Sequence, residues 1–249
     1  MAAPVTLDLA LLSAAVLGFR HGFDYDHIAA ISDITGVEQT RARAMRMGLF
    51  YVVGHGATVA ALGGSAIVFQ RSLPPQVDRW AERAVGLTLV LLGVYVLGTL
   101  LRQNKSTAAP RSRASLLIGT FRWLVWNIKK LFNPAAKPLA VAESYSPRSV
   151  LLIGVIHGLG AETPTQLLLF LLAANLGGVH RGFLGLAMFL AGLLTMNTLM
   201  TASAVGVFGL SAASPRVMRF VVALTAAYSL IVGAIFLSGS AAWLPQLGG

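Results

Sequence analysis

Eight consecutive positions hold Arg20, His21, Asp24, Asp26 and His27, in a run that is otherwise largely apolar. A charged side chain at the centre of a bilayer costs about 2.5–3.5 kcal/mol or more unless it is paired or ligated, so a group of them there is a functional candidate. At about 100° per residue, His21, Asp24 and His27 fall within an arc of about 120° on a regular helix. Two imidazoles and a carboxylate converging on one face suit a nitrogen/oxygen site for a divalent first-row metal. Asp26 points elsewhere on such a helix. Either it holds a neighbouring helix or the second ring nitrogen of a ligand, or the helix unwinds at Gly22 and brings it round. Arg20, four residues before Asp24, is placed to pair with it and offset part of the burial cost. The bland reading of the cluster is a polar helix end at the membrane interface. There is no cysteine, which removes thiolate ligands, disulfides and thiol redox chemistry.

Other residues extend the candidate set. His55 lies in Gly54-His55-Gly56, where small neighbours allow close backbone approach; it reads as a ligand or as an interhelical hydrogen-bonding group. His157, Glu162 and Thr163 are followed by Pro164, which frees a backbone carbonyl one turn back and can line an ion path. Asn197 reads as interhelical glue rather than a ligand, and His180, beside Arg181, as an ordinary loop residue.

The elements that must position these groups are membrane helices. Hydrophobic residues make up 56% of the 249 and charged residues 11%, with a mean hydropathy of +0.73. A soluble chain carries about a quarter of its residues charged, so lipid has to solvate most of this surface. Apolar runs long enough to span occupy 7–33, 45–69, 80–101, 150–173, 183–210 and 217–237. The connection 102–148 carries nine Lys and Arg against the single acid Glu143 and is expected on the cytoplasmic side. Alternation then puts the basic segments with Arg41, Arg43 and Arg46, and with Arg216 and Arg219, on the same side, and both termini outside. The net charge of +10 is therefore a topology signal; nucleic acid is excluded as a partner, with no soluble module to read a groove. Within the long connection, 115–132 carries Arg122, Lys129, Lys130, Trp123 and Trp126, the pattern of an amphipathic interfacial helix rather than a seventh span. No cleavable signal peptide is expected, because the N-terminus lacks a basic n-region.

The segment 18–26 aligns with 154–162: Gly18 with Gly154, His21-Gly22 with His157-Gly158, and Asp26 with Glu162. Each copy opens a group of three spans, and three being odd, the second group must be inverted. Inverted repeats with interrupted first helices hold their binding site near the midplane between the halves. The expected fold class is an all-α integral membrane protein of about six transmembrane helices, built as two inverted three-helix repeats. Residues 1–101 form the first repeat, 102–148 the basic cytoplasmic loop with its interfacial helix, and 149–249 the second repeat.

With these residues in view, the chain resembles the nickel/cobalt transporter family. Arg20 to Ile28 is similar to that family's Arg-His-Ala-Val/Phe-Asp-Ala-Asp-His-Ile signature except at Gly22 and Tyr25. Phe50-Tyr51 and Gly54-His55-Gly56-Ala57-Thr58-Val59 resemble its aromatic pair and Gly-His-Ser-Thr-Val motif, and 159–166 its Leu-Gly-Phe-Asp-Thr-Ala-Thr-Glu motif. Glu162 stands where the family has Asp and Gln166 where it has Glu. Its Asp-Thr-x-Asp motif reads Asn197-Thr198-Leu199-Met200, with both acids gone. Typical members carry one more span before the signature. The resemblance implies a divergent member with altered metal preference or coupling.

The leading expectation is a secondary transporter, not an enzyme, moving nickel or cobalt across a bacterial cytoplasmic membrane. His21, Asp24, Asp26, His27, His55, His157 and Glu162 form the metal set, and Glu162 adds charge or carries a coupling proton. The metal is substrate, no cofactor is bound permanently, and the partners are the ion, membrane lipids and, by the family's urease-associated members, nickel-enzyme maturation proteins. Two alternatives compete: export of another small solute on the same scaffold, and an acyltransferase using the spacing of His21 and Asp26 for general-base chemistry.

Overall fold

The computed structural model describes residues 3–70, 75–103, 145–160 and 178–244. The segment 115–132, and with it the interfacial helix, lies outside the described residues, as do Glu162, Thr163, Pro164 and Gln166. The described residues form α1 (Ala3–His21), α2 (Tyr25–Gly36), α3 (Arg41–Phe69), α4 (Pro75–Gln103), α5 (Pro147–Gly160), α6 (Val179–Ser211) and α7 (Pro215–Leu237). A short 3-10 turn, Ala241–Trp243, follows. Among the described residues, four segments are long and apolar enough to cross a membrane: Arg41–Phe69, Arg79–Leu100, Val179–Ser211 and Pro215–Leu237. Their outer faces carry exposed Leu, Val, Ile and Phe. Buried polar residues gather inside, the inverse of a soluble bundle and the expected arrangement in lipid. The chain is an all-α, multi-pass membrane protein.

The helix ends follow local rules. Thr40 caps α3, its hydroxyl accepting from the Arg43 N–H at 3.3 Å, and Gln70, at φ 51°, ends that helix in the left-handed region. Pro215 opens α7 directly after Ser214.

Of the two readings of 7–33, a regular helix or one that unwinds at Gly22, the structure takes the second. The chain turns at 22–24, held by Phe23 N–H to the Arg20 carbonyl at 2.8 Å and Asp24 N–H to the His21 carbonyl at 3.1 Å. Asp24 occupies the cap position of α2 but makes no side-chain cap bond; its carboxylate reaches back to His21 instead. The turn is packed tightly: a Cβ at Gly22 would sit 2.8 Å from that of Met196 in α6.

Three helix pairs dominate the packing: α1 with α6, α3 with α5, and α4 with α7. Each crosses at reciprocal glycines. A Cβ on Gly18 would overlap the Phe189 carbonyl, and one on Gly192 the Ala15 carbonyl. Gly54 and Gly154 stand in the same relation to the carbonyls of Leu151 and Tyr51, and Gly86 and Gly233 face each other across α4 and α7. Without a hydrophobic drive between helices in lipid, close backbone approach of this kind supplies the dispersion that holds them. The contacts also set direction. Gly54 meets 151–155 and Gly158 meets Thr58, so α3 and α5 are parallel; Gly86 meets Gly233 and Gly93 meets Ala226, so α4 and α7 are antiparallel. His157 meets Thr88 while Gly160 meets Ala81 and Val85, so α4 and α5 are antiparallel too. The chain therefore leaves α4 and enters α5 at the same end of the molecule, where Tyr95 and Tyr145 pack with ring centroids 4.6 Å apart.

Candidate metal centre

The break between α1 and α2 determines what the histidines do. His21 ends α1, His27 lies in the first turn of α2, and His55 sits mid-way along α3, flanked by the two glycines that let α5 and α6 close in. All three are buried, and one ring nitrogen from each lies within 4.8 Å of the others. Nitrogens sharing one ion at bonds of about 2.0–2.1 Å can be at most ~4.2 Å apart, so the triad needs only a small contraction to close on a cation. The rings already meet edge to face as one group, with centroids of His27 and His55 at 4.5 Å and of His21 and His27 at 5.0 Å.

Each of the first two imidazoles has a carboxylate behind it. Asp24 Oδ2 is 2.8 Å from His21 Nδ1, and His21 Nε2 is buried with no partner. Asp26 Oδ1 is 3.2 Å from His27 Nδ1, close enough for charge pairing though off the line of a hydrogen bond. This leaves His27 Nε2 facing His55 Nε2 across 3.3 Å. A carboxylate at Nδ1 places the ring's proton there, presents Nε2 as a lone pair and raises its basicity, the usual second layer of a histidine metal site. Asp24 and Asp26 thus stand behind the ring nitrogens. Asp26 gains further from lying in the first turn of α2, at the positive end of that helix.

His157 is buried beside this group with both nitrogens engaged. Thr88 Oγ1 donates to the Val85 carbonyl at 2.7 Å, so it accepts from His157 Nε2–H, also at 2.7 Å. His157 Nδ1 then accepts from the Tyr51 hydroxyl at 3.2 Å, with Asp26 Oδ2 3.7 Å away. Tyr51 stacks on His55 at 6.0 Å, linking the outer pair to the triad. The structure thus brings together six of the seven sequence-level candidates, His21, Asp24, Asp26, His27, His55 and His157; Glu162 lies outside the described residues. His180, expected in a loop, is instead the second residue of α6 and is exposed there. Asn197 is fully buried, and neither atom of its amide has a hydrogen-bond partner among the described residues. The acyltransferase pairing is not formed either, since His21 is oriented by Asp24 while Asp26 faces His27 and His157.

Two participants, and one buried acid that lies apart from them, escape a reading by sequence. Tyr51 lies one turn before His55 and could be found from that spacing. Thr88 carries no pattern at all. Asp33, at the edge of the first apolar run, is fully buried, and both its oxygens are unpartnered among the described residues.

No family model matches the chain, and no solved structure matches it. Curated relatives do. The chain is 25% identical to the urease accessory protein UreH of Bacillus sp. (strain TB-90), over 88% of this chain and 86% of that one. It is 28% identical to the cobalt transport protein NhlF of Rhodococcus rhodochrous, over 94% of this chain and 71% of the relative. It is 26% identical to the high-affinity nickel transport protein of Cupriavidus necator, over 93% of this chain and 70% of that one. Similarity at 25–28% identity, spread over most of the chain, agrees with the histidine and aspartate motifs: the chain is similar to nickel and cobalt transport proteins and to a urease accessory protein.

Proposed function

We propose that the chain is a secondary transporter of a divalent transition-metal cation, nickel or cobalt, in a bacterial cytoplasmic membrane. The observation that carries this reading is the buried triad His21, His27 and His55, three nitrogens within 4.8 Å of one another on two interrupted half-helices and a third helix. Imidazole suits nickel and cobalt, and the absence of thiolates disfavours soft ions. Asp24 and Asp26 act through His21 and His27, orienting them and balancing the charge of a dehydrated ion. His157, tied to Tyr51 and Thr88, and Glu162 lie along the path, where Glu162 adds negative charge. Nickel and cobalt are the ions named for the relatives.

The helix pairing supports alternating access. Exchanging the first three spans for the second three maps the α1–α6 pair onto α5–α3 and the α4–α7 pair onto itself, and it maps Gly18 onto Gly154, as in the sequence repeat. An inverted repeat of this kind rocks around a fixed central site. Both termini face outward in this arrangement, and a nickel-enzyme maturation protein is the expected cytoplasmic recipient.

The test is total cell-associated nickel, cobalt, zinc and manganese in a bacterial host expressing the intact chain, His21→Ala or His55→Ala at matched levels. Selective accumulation that disappears in both variants assigns inward transport through the triad, and selective depletion that disappears assigns outward transport. Equal contents of every metal in all three strains would refute the proposal.

A further inference from the structure

Six residues beyond His27, about 9 Å along α2, a second buried polar group has no part in the histidine site. Asp33 is fully buried, and neither of its oxygens has a hydrogen-bond partner among the described residues. Ser229 and Thr225 of α7 face it without closing a hydrogen bond. The Ser229 hydroxyl is itself fully buried and unpartnered. Thr225 already donates to the Val222 carbonyl at 3.0 Å, so it can only accept. From the approach to α5, Tyr145 brings a further buried hydroxyl without a partner. Around these oxygens the packing is apolar, with Ala29, Ala30, Ile34, Leu92 and Val232 in the same cluster.

Among the described residues, the other ionisable groups do not neutralise Asp33. Tyr145 is neutral: burial first, then the Asp33 carboxylate, Tyr95 and Glu38, push its hydroxyl well above the ordinary tyrosine range. Tyr95 is contributed by α4 and Tyr228 by α7. Glu38 is a second acid, and its Oε2 is taken by Arg43 Nε of α3. Arg41 packs against Gly209 and Arg46 is exposed. The only ionisable residues of α6, His180 and Arg181, lie at its opposite end. A lone carboxylate sealed from water without a partner binds something positive. One unit of charge balances it, whereas a divalent ion would leave a charge uncompensated. The donors are all oxygens, which select a hard ion rather than the nitrogen-loving metals of the triad.

We propose that Asp33, with Ser229 and Tyr145, forms a second, all-oxygen station for a single positive charge, a proton or a sodium ion, that drives metal movement at the histidine site. The station spans the contact between α2, in one half, and α7, in the other. Rocking of the halves would thus change its access to solvent, and the metal and the driving ion would share one motion while occupying separate sites. The driving role rests on the transport reading above; the occupancy of Asp33 does not.

Two measurements separate them. In purified protein in nanodiscs, infrared spectra compare the intact chain with Asp33→Asn. A neutral-carboxyl band that Asp33→Asn lacks assigns a proton. A band that appears only when sodium is withdrawn assigns sodium. No Asp33-dependent band with or without sodium, and no sodium effect on thermal stability that Asp33→Asn abolishes, overturns the station whatever the protein transports. In proteoliposomes with a nickel-sensitive dye inside, Asp33→Asn should bind nickel within threefold of the intact chain and equilibrate it, yet lose at least tenfold of the accumulation driven by a pH or sodium gradient. Retained gradient-driven accumulation, or loss of nickel binding, overturns the driving role. Ser229→Ala, which keeps the carboxylate, serves if Asp33→Asn fails to fold: it should shift the pH or sodium concentration of half-maximal accumulation, and an unmoved midpoint counts against the station. Nickel movement absent from the intact chain would refute the transport reading and leave the infrared result standing.

Discussion

Asp26→Asn tests the logic of the metal centre most directly, because it alters charge and proton placement with almost no change of shape. Asp26 Oδ1 lies 3.2 Å from His27 Nδ1, and the His27 ring is fully buried. The asparagine can turn only its carbonyl oxygen to that nitrogen, as a neutral acceptor, or else present its amide and favour the wrong tautomer, which would put the proton on Nε2 where the cation must bind. Loss of a carboxylate behind a ligating histidine costs about 10- to 100-fold in metal affinity, or about 1.4–2.8 kcal/mol at about 1.4 kcal/mol per tenfold. The assay is nickel titration of the purified protein, followed by the rise in melting temperature that saturating nickel produces. A ligand bound 100-fold more weakly at fixed concentration forfeits about 2.7 kcal/mol of stabilisation, so the nickel-dependent rise should shrink while the metal-free melting temperature moves little. An affinity within threefold of the intact chain would show that Asp26 does not support His27 as a ligand.

Thr88→Val removes the acceptor of His157 Nε2–H and should destabilise the metal-free protein by about 1–3 kcal/mol, the cost of a buried donor left unmade. Nickel affinity at the triad should change less than threefold; a larger loss, measured by the same titration, would place His157 among the ligands. At the helix crossings, Gly54→Ala drives a Cβ into the Leu151 carbonyl and should cost about 1–3 kcal/mol or more of thermal stability. Gly206→Ala, with open space at its Cβ, should be neutral or stabilising by up to about 1 kcal/mol. Similar melting temperatures for the two would refute the reciprocal-glycine account of the helix pairs.

Much of this protein is legible along the chain because lipid imposes simple rules. A hydrocarbon solvent requires long apolar runs and leaves basic residues in the connections, so the composition already implies a helical membrane protein. The same solvent makes each buried His or Asp conspicuous, and His21, Asp24, Asp26, His27 and His55 stand out for that reason. Their arrangement was legible only as two open readings, a regular helix or one unwound at Gly22. A regular helix through 7–33 would put Asp26 away from His27's neighbours and leave Asp24 as a companion ligand. The turn at 22–24 instead places both carboxylates behind imidazoles, and it exists because α6 packs against Gly22 and because Asp24 bonds to His21 rather than capping α2. His55 and Thr88 reach this place only through helix crossings at Gly54, Gly154 and Gly158, contacts that join residues about a hundred positions apart. Asp33 shows the same division: its residue type is visible in the sequence, but its lack of any partner depends on where α4, α7 and Tyr145 come to rest. Solvent fixes which residues must be explained, and backbone packing between distant helices decides what each of them touches.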